Sequence, residues 1–277
     1  MMKFLPCLLS VLVVIVFSFR SVAQPLNPAK ELTQYNIDYW DGDKAPSNVL
    51  SIIQTHDGYL WIATLSGLVR FDGLKFTAYD NFSTPSIAAT GFKCLYEDRH
   101  QDLWIGSNGA GLFLKEQNRF KKYEAPFGSG SNNIERIFLD SKENLWLCTL
   151  KGLIKFKDST FSLIPVKGKN SESDFPMYDI VEDDQGTLWI GSSDGVLKYE
   201  NGELNKITWK GTQADGEIVA MLITQDKKMW LASYATGVYV AAHDTLKKVN
   251  EPVSFKHPTA ILEDRNHNVW VGSEFGV

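Results

Sequence analysis

The chain has 277 residues, 44% of them hydrophobic and 12% aromatic, and a formal net charge of −5 from 28 basic and 33 acidic residues. That is enough apolar material for a sizeable core and too little charge for a disordered chain. No run of lysine and arginine supplies the basic face that a polyanion needs, so nucleic acid is excluded as an expected partner.

The first 23 residues read as a secretory signal. Lys3 gives the positive start, and Phe4 to Phe19 is apolar except for Pro6, Ser10 and Ser18. Ser21-Val22-Ala23 then places small residues before a cleavage point after Ala23. The 16-residue apolar run is shorter than the ~20 residues that span a bilayer. A cleaved signal is therefore preferred to an uncleaved anchor, and the expected location is the periplasm or the exterior. Loss of Lys3 and Arg20 leaves 26 basic against 33 acidic residues. No later stretch is apolar enough to span a membrane as a helix, so the mature chain is expected to have no membrane span. Residues 24–46 form a leader with a lead-in strand, and residues 47–277 are occupied by repeats.

The tryptophans mark those repeats. Trp61, Trp104, Trp146, Trp189, Trp230 and Trp270 stand 43, 42, 43, 41 and 40 residues apart. Each is flanked by aliphatic residues or methionine, as in LWIAT, LWIGS, LWLCT, LWIGS, MWLAS and VWVGS. The residue two beyond each is small: Ala63, Gly106, Cys148, Gly191, Ala232 and Gly272. Thr or Ser follows at every copy. In the first unit the pattern predicts four short strands, Val49–Thr55, Tyr59–Leu65, Leu68–Asp72 and Lys75–Asp80. Asp57-Gly58, Ser66-Gly67 and Asp72-Gly73 supply the hairpin turns. Nine and eight residues before each tryptophan, two adjacent apolar columns predict a first strand covered on both faces. The units extend over about 47–80, 90–124, 132–164, 175–208 and 216–249, with a partial sixth from His257. No segment after the signal has helical periodicity. A repeated antiparallel unit of about 40 residues is the pattern of a propeller blade. The fold class is therefore all-β: a β-propeller of four-stranded antiparallel blades, five complete and a sixth incomplete at the C-terminus. So regular a tryptophan column reads as packing between blades rather than as a sugar platform, because a binding site is local.

The LWIGT-like strings, the GL that follows them and the RFDG-like turn resemble the two-component regulator propeller family. The stretch YNIDYWDGDKAPSNVLSIIQTHDGYLWIATLSGLVRFDGLKFTAYD is similar to that family's first repeat. The resemblance runs from about Tyr35 to Val277, and the second and fifth units each carry one extra turn residue, in SNGAGLF and SYATGVY. It implies a periplasmic sensor region. In relatives such propellers precede a β-sandwich, a transmembrane helix and a cytoplasmic histidine kinase or diguanylate cyclase. It also implies a small-molecule ligand, often a carbohydrate. The sequence stops inside its sixth repeat and holds no kinase motif. It therefore reads as the N-terminal piece of a longer sensor, whose output lies in a downstream kinase domain or a split partner.

Candidate chemistry is sparse. No histidine pair has zinc-protease spacing; His56, His100 and His267 fall in a polar hairpin and read as exposed turn residues. Asp98, Asp140, Asp183 and Asp264 share the column six before the tryptophan. They read as turn-closing aspartates rather than calcium ligands, which would have to converge on one spot. No catalytic residue, metal site or cofactor is assigned. Cys7 leaves with the signal, and Cys94 and Cys148 read as packed free thiols, with a disulfide as the alternative that export permits. The variable columns offer a binding face instead. At the start of the first strand and in the turn after the tryptophan strand, the candidate ligand residues are Asn48, Asn108, Asn133, Lys151, Asp194, Glu217, Tyr234 and His257. A rigid ring with variable polar loops on one face is a common ligand scaffold. The function read from this is a ligand-binding sensor propeller. The alternatives are an exported propeller enzyme acting on glycans, as a lyase or hydrolase, and a nonfunctional truncated product.

Overall fold

The structure, a computed structural model, describes residues 46–274 apart from 81–82, 88, 90, 118, 171, 212–213, 215, 243–244 and 250–254. The expected signal, the leader up to residue 45 and residues 275–277 lie outside the described residues.

Blade 1 consists of β1 (Val49–Gln54), β2 (Leu60–Thr64), β3 (Gly67–Phe71) and β4 (Phe76–Tyr79). Blade 2 consists of β5 (Phe92–Glu97), β6 (Leu103–Ser107), β7 (Leu112–Glu116) and β8 (Arg119–Tyr123). Blade 3 consists of β9 (Ile134–Leu139), β10 (Leu145–Thr149), β11 (Leu153–Lys157) and β12 (Thr160–Leu163). Blade 4 consists of β13 (Met177–Glu182), β14 (Leu188–Ser192), β15 (Gly195–Glu200) and β16 (Glu203–Lys206). After β17 (Lys210–Gly211), blade 5 follows as β18 (Ile218–Ile223), β19 (Met229–Ser233), β20 (Gly237–Ala242) and β21 (Thr245–Lys248). The sixth sheet is the hairpin of β22 (Pro258–Glu263) and β23 (Val269–Ser273). Strands within each blade pair antiparallel in chain order, as the repeat predicts. The two-residue β17 was not predicted: it adds a parallel fifth strand to blade 5, opposite Thr245 and Leu246. Two residues are too few to carry a period.

The turn chemistry explains the conserved columns. The aspartate six before the tryptophan serves both the turn and the indole. In blade 3 one oxygen of Asp140 accepts N–H bonds from Lys142 and Asn144. The other accepts the Trp146 indole N–H at 2.8 Å. Asp98, Asp183 and Asp264 do the same for Trp104, Trp189 and Trp270. In blades 1 and 5 the column holds Thr55 and Thr224, which donate to Asp57 and Asp226 instead. The hydroxyl three beyond the tryptophan closes the next hairpin, as Thr149 does on the Gly152 carbonyl and Ser192 on that of Gly195.

The core lies at the blade boundaries. One cluster joins Trp61 and Leu68 of blade 1 to Phe92, Leu95 and Phe113 of blade 2. Others join Leu112 to Ile134 and Ile137, Trp146 and Leu153 to Met177 and Ile180, and Val196 to Ile218 and Met221. The first strands pack side by side, β1 on β5, β5 on β9, β9 on β13, β13 on β18 and β18 on β22. The small residue after the tryptophan permits this approach. A Cβ added to Gly191 would stand 2.6 Å from the Ile218 carbonyl oxygen of the next blade. At Gly272 the nearest neighbour is Ala260 of its own hairpin, 3.5 Å away. Among the described residues, every large exposed hydrophobic belongs to blade 1 or to the β22–β23 hairpin, including Ile52, Leu262 and Trp270. Equivalent residues at internal boundaries, such as Ile137 and Trp146, are buried. Cys94 and Cys148 are free and buried.

Candidate functional site

Every first strand breaks register at the same place. The break falls between Val49 and Ser51, Phe92 and Cys94, Met177 and Asp179, Ile218 and Ala220, and Pro258 and Ala260. In blade 3, Ile134 and Arg136 pair with adjacent residues of β10, so Glu135 is skipped. A bulge leaves one residue outside the ladder and re-aims its side chain. The residue so released is Leu50, Lys93, Glu135, Tyr178, Val219 or Thr259. The backbone device repeats while the side chain changes, which is how one frame can carry a local site.

The released side chains and their neighbours form a polar ladder across successive boundaries. Lys93 Nζ of blade 2 meets Glu135 Oε1 of blade 3 at 2.5 Å. Arg136 Nε meets Asp179 Oδ1 of blade 4 at 3.2 Å. The Tyr178 hydroxyl donates to Glu217 at 3.0 Å, at the start of blade 5. The Tyr234 hydroxyl donates to Glu274 at 2.7 Å, and its ring lies 4.7 Å from that of His257. Asp179 is buried and also accepts N–H bonds from Ile180 and Met221. Burial pushes its carboxyl up, against Arg136 and those two N–H groups. Burial and the Glu217 carboxylate push the Tyr178 phenol up to about 12, so Tyr178 remains a hydroxyl donor at neutral pH.

Of the residues singled out from the sequence, Glu217, Tyr234 and His257 belong to this ladder. Asn133 lies beside it, bridged to Asn108, and its Oδ1 is buried without a hydrogen-bond partner. Asn48 sits at the same position of blade 1 with φ 53° and is exposed. Lys151 is buried and committed to the Glu172 carbonyl and to Asp174 at 3.3 Å. Asp194 pairs with Lys206 on β16 of its own blade at 2.7 Å and with Lys169 in the connection between blades 3 and 4 at 3.6 Å. The hydrogen bond from Lys206 holds its carboxyl below the ordinary range. The sequence reading missed Lys93, Glu135, Arg136, Tyr178 and Asp179. A signal for four of them was present: opposite charges occupy one column in adjacent repeats, Lys93 with Glu135 and Arg136 with Asp179. No group of three or more His, Cys, Asp or Glu side chains among the described residues is arranged to hold a metal ion. No helix among them is long and apolar enough to cross a membrane.

This is a β-propeller built of four-stranded antiparallel blades, and solved structures share its fold. The extracellular domain of a protein assigned to the hybrid two-component systems of B. thetaiotaomicron is 22% identical, with a TM-score of 0.53 over 83% of this chain and 39% of that one. Virginiamycin B lyase from Staphylococcus aureus is 14% identical, with a TM-score of 0.65 over 83% of this chain and 78% of the lyase. An ancestral GH74 enzyme is 14% identical, with a TM-score of 0.64 over 84% of this chain and 36% of the enzyme. The chain thus spans about two fifths of the length of the two-component relative. A comparison with curated proteins found no match. The family model described as two component regulator propeller matches residues 43–66 and 173–194. The first match ends just past the β1–β2 hairpin of blade 1, and the second falls on the β13–β14 hairpin of blade 4.

Proposed function

We propose that this chain is the ligand-recognising propeller of an exported two-component sensor, and that it binds a carbohydrate or similar small polyhydroxylated molecule along the ladder from Lys93 to His257. The observation that carries this reading is the bulge column. An otherwise repeated frame releases a cation, an anion and a phenol in blades 2 to 4, then Val219 in blade 5 and the Thr259 hydroxyl in the sixth sheet, at the ends of strands that pack side by side. Alternating donors and acceptors suit a ligand rich in hydroxyl groups, and an aromatic residue such as Tyr234 can add stacking. Ligand occupancy would be passed to an output domain, a sensor kinase on the same or a split polypeptide. Export is supported by the N-terminal signal pattern and by the extracellular origin of the two-component relative.

Isothermal titration of the purified protein against a panel of neutral and acidic oligosaccharides tests this. One class should bind, and Lys93→Ala and Tyr178→Phe should each weaken it about tenfold, or about 1.4 kcal/mol, without lowering the melting temperature. Absence of binding across the panel, or binding indifferent to both substitutions, refutes the site. Cleavage of a bound oligosaccharide would favour an exported glycan enzyme instead.

A further inference from the structure

The two charge pairs of the ladder are not alike. Lys93 and Glu135 are covered to the same degree, and the ammonium sits on its carboxylate. Arg136 and Asp179 are unequal: the arginine side chain is 54% exposed and the aspartate 11%. Asp179 is held from behind. Its carboxylate accepts the N–H of Ile180 at 2.9 Å and that of Met221, in blade 5, at 2.8 Å. It meets the guanidinium at Nε, 3.2 Å away. Among the described residues Asp179 is the one carboxylate paired with Arg136. The Nε contact leaves the two terminal amino groups, which present a planar fork of donors.

The surroundings give that fork room. Arg136 stands one residue after the bulge, in the column Ser51, Cys94, Arg136, Asp179, Ala220 and Ala260. Each member pairs across its hairpin with the small residue two beyond the tryptophan, which is Cys148 in this blade. At this level of the first two strands, every residue but Arg136 and Asp179 is therefore small. Pairing with Asp179 accounts for the Nε but not for the exposed fork. A buried carboxylate behind a half-exposed guanidinium fixes the plane of the group in advance, so a ligand need not order it on binding. The nearest competing carboxylate, Glu135, is neutralised by Lys93.

We infer that Arg136 is the specificity-determining residue of the ladder, and that it selects an acidic oligosaccharide, one built on a uronic acid, by pairing its terminal amino groups with the sugar carboxylate. This rests on the reading of the ladder as a carbohydrate site. A fork-to-carboxylate pair is bidentate and directional, and lysine supplies the charge without that geometry. The sugar hydroxyls are left to the flanking groups, Lys93 and Glu135 on one side and Tyr178 on the other.

The test is isothermal titration of the full chain with oligosaccharides of galacturonic and glucuronic acid, each beside its methyl ester, which keeps the sugar and removes the charge. In at least one pair the acid should bind about tenfold tighter than the ester, and added salt should narrow the gap. Arg136→Gln should bring acid and ester to about the same affinity, and Arg136→Lys should keep only part of the preference. The ratio of two affinities on one folded variant does not depend on its stability, which circular dichroism monitors. If Arg136→Gln does not fold, Arg136→Lys decides, because it keeps a charge facing Asp179: an unchanged preference overturns the role of the fork. Equal binding of acid and ester by the unaltered chain, or tighter binding of neutral oligosaccharides, overturns the selectivity and leaves the ladder standing. A preference that survives in Arg136→Gln overturns the assignment to this residue. Absence of binding by every oligosaccharide, acidic or neutral, overturns the ladder itself and this inference with it.

Discussion

Replacing Trp146 and Trp270 by alanine separates the contribution of the blade boundary from that of the blade itself. Both indoles stand in the same column, and both donate to an aspartate six residues before them at 2.8 Å. They differ in what covers them. Trp146 is 1% exposed, packs edge-on against Tyr199 of the next blade and lies beneath Lys155. Truncating a fully buried large aromatic costs about 3–5 kcal/mol, because both transfer and cavity terms are lost. For a chain of this size each kcal/mol lowers the melting temperature by roughly 2–4 °C, so Trp146→Ala should melt about 6–20 °C lower. Trp270 is nearly half exposed, leaves no closed cavity and should cost about 1 kcal/mol or less. Thermal and urea unfolding followed by far-ultraviolet circular dichroism measure both. Equal losses at the two sites would refute the argument that the column acts between blades, and small losses at both would show the tryptophans to be dispensable.

The glycines offer a matched pair: Gly191→Ala, which drives a methyl group into the Ile218 carbonyl, should cost about 1–3 kcal/mol as overpacking, whereas Gly272→Ala should be close to neutral by the same unfolding assay. Arg136→Gln removes the cation facing the buried Asp179. Because Arg136 itself is half exposed, the expected loss is about 1–3 kcal/mol, and no loss would mean that Asp179 is neutral or sufficiently served by its N–H donors. Acid unfolding should also report the tryptophan–aspartate pairs. Burial works to raise the Asp140 and Asp183 carboxyls, but the indole N–H and the turn N–H groups outweigh it and hold both below the ordinary value of 3.8. Each therefore contributes stability that is fully present above the unfolded-state value and is lost as pH falls through the lower folded one. Asp140→Asn with Asp183→Asn should flatten the dependence of stability on pH below about 4, and an unchanged acid slope would sink that assignment.

The sequence by itself determined the blade, the strand order and the turn positions, because these depend on residues close together in the chain. The Trp146 column, the Asp140 turn and the Gly152 hairpin lie within about a dozen residues of one another, and a period of about 40 repeats them until they are unmistakable. The same repetition concealed the candidate site. Lys93 and Glu135, Arg136 and Asp179, and Tyr178 and Glu217 meet across boundaries some 40 residues apart. They come from columns whose members differ from unit to unit, so the only signal is the opposite charge of Lys93 and Glu135, and of Arg136 and Asp179, one repeat apart. Exposure misled in the opposite direction at Lys151, a loop lysine that tertiary packing buries against Glu172 and Asp174. Local propensity and hydrophobic period settle what each unit becomes. Only the stacking of one unit on the next decides which side chains are covered and which are paired.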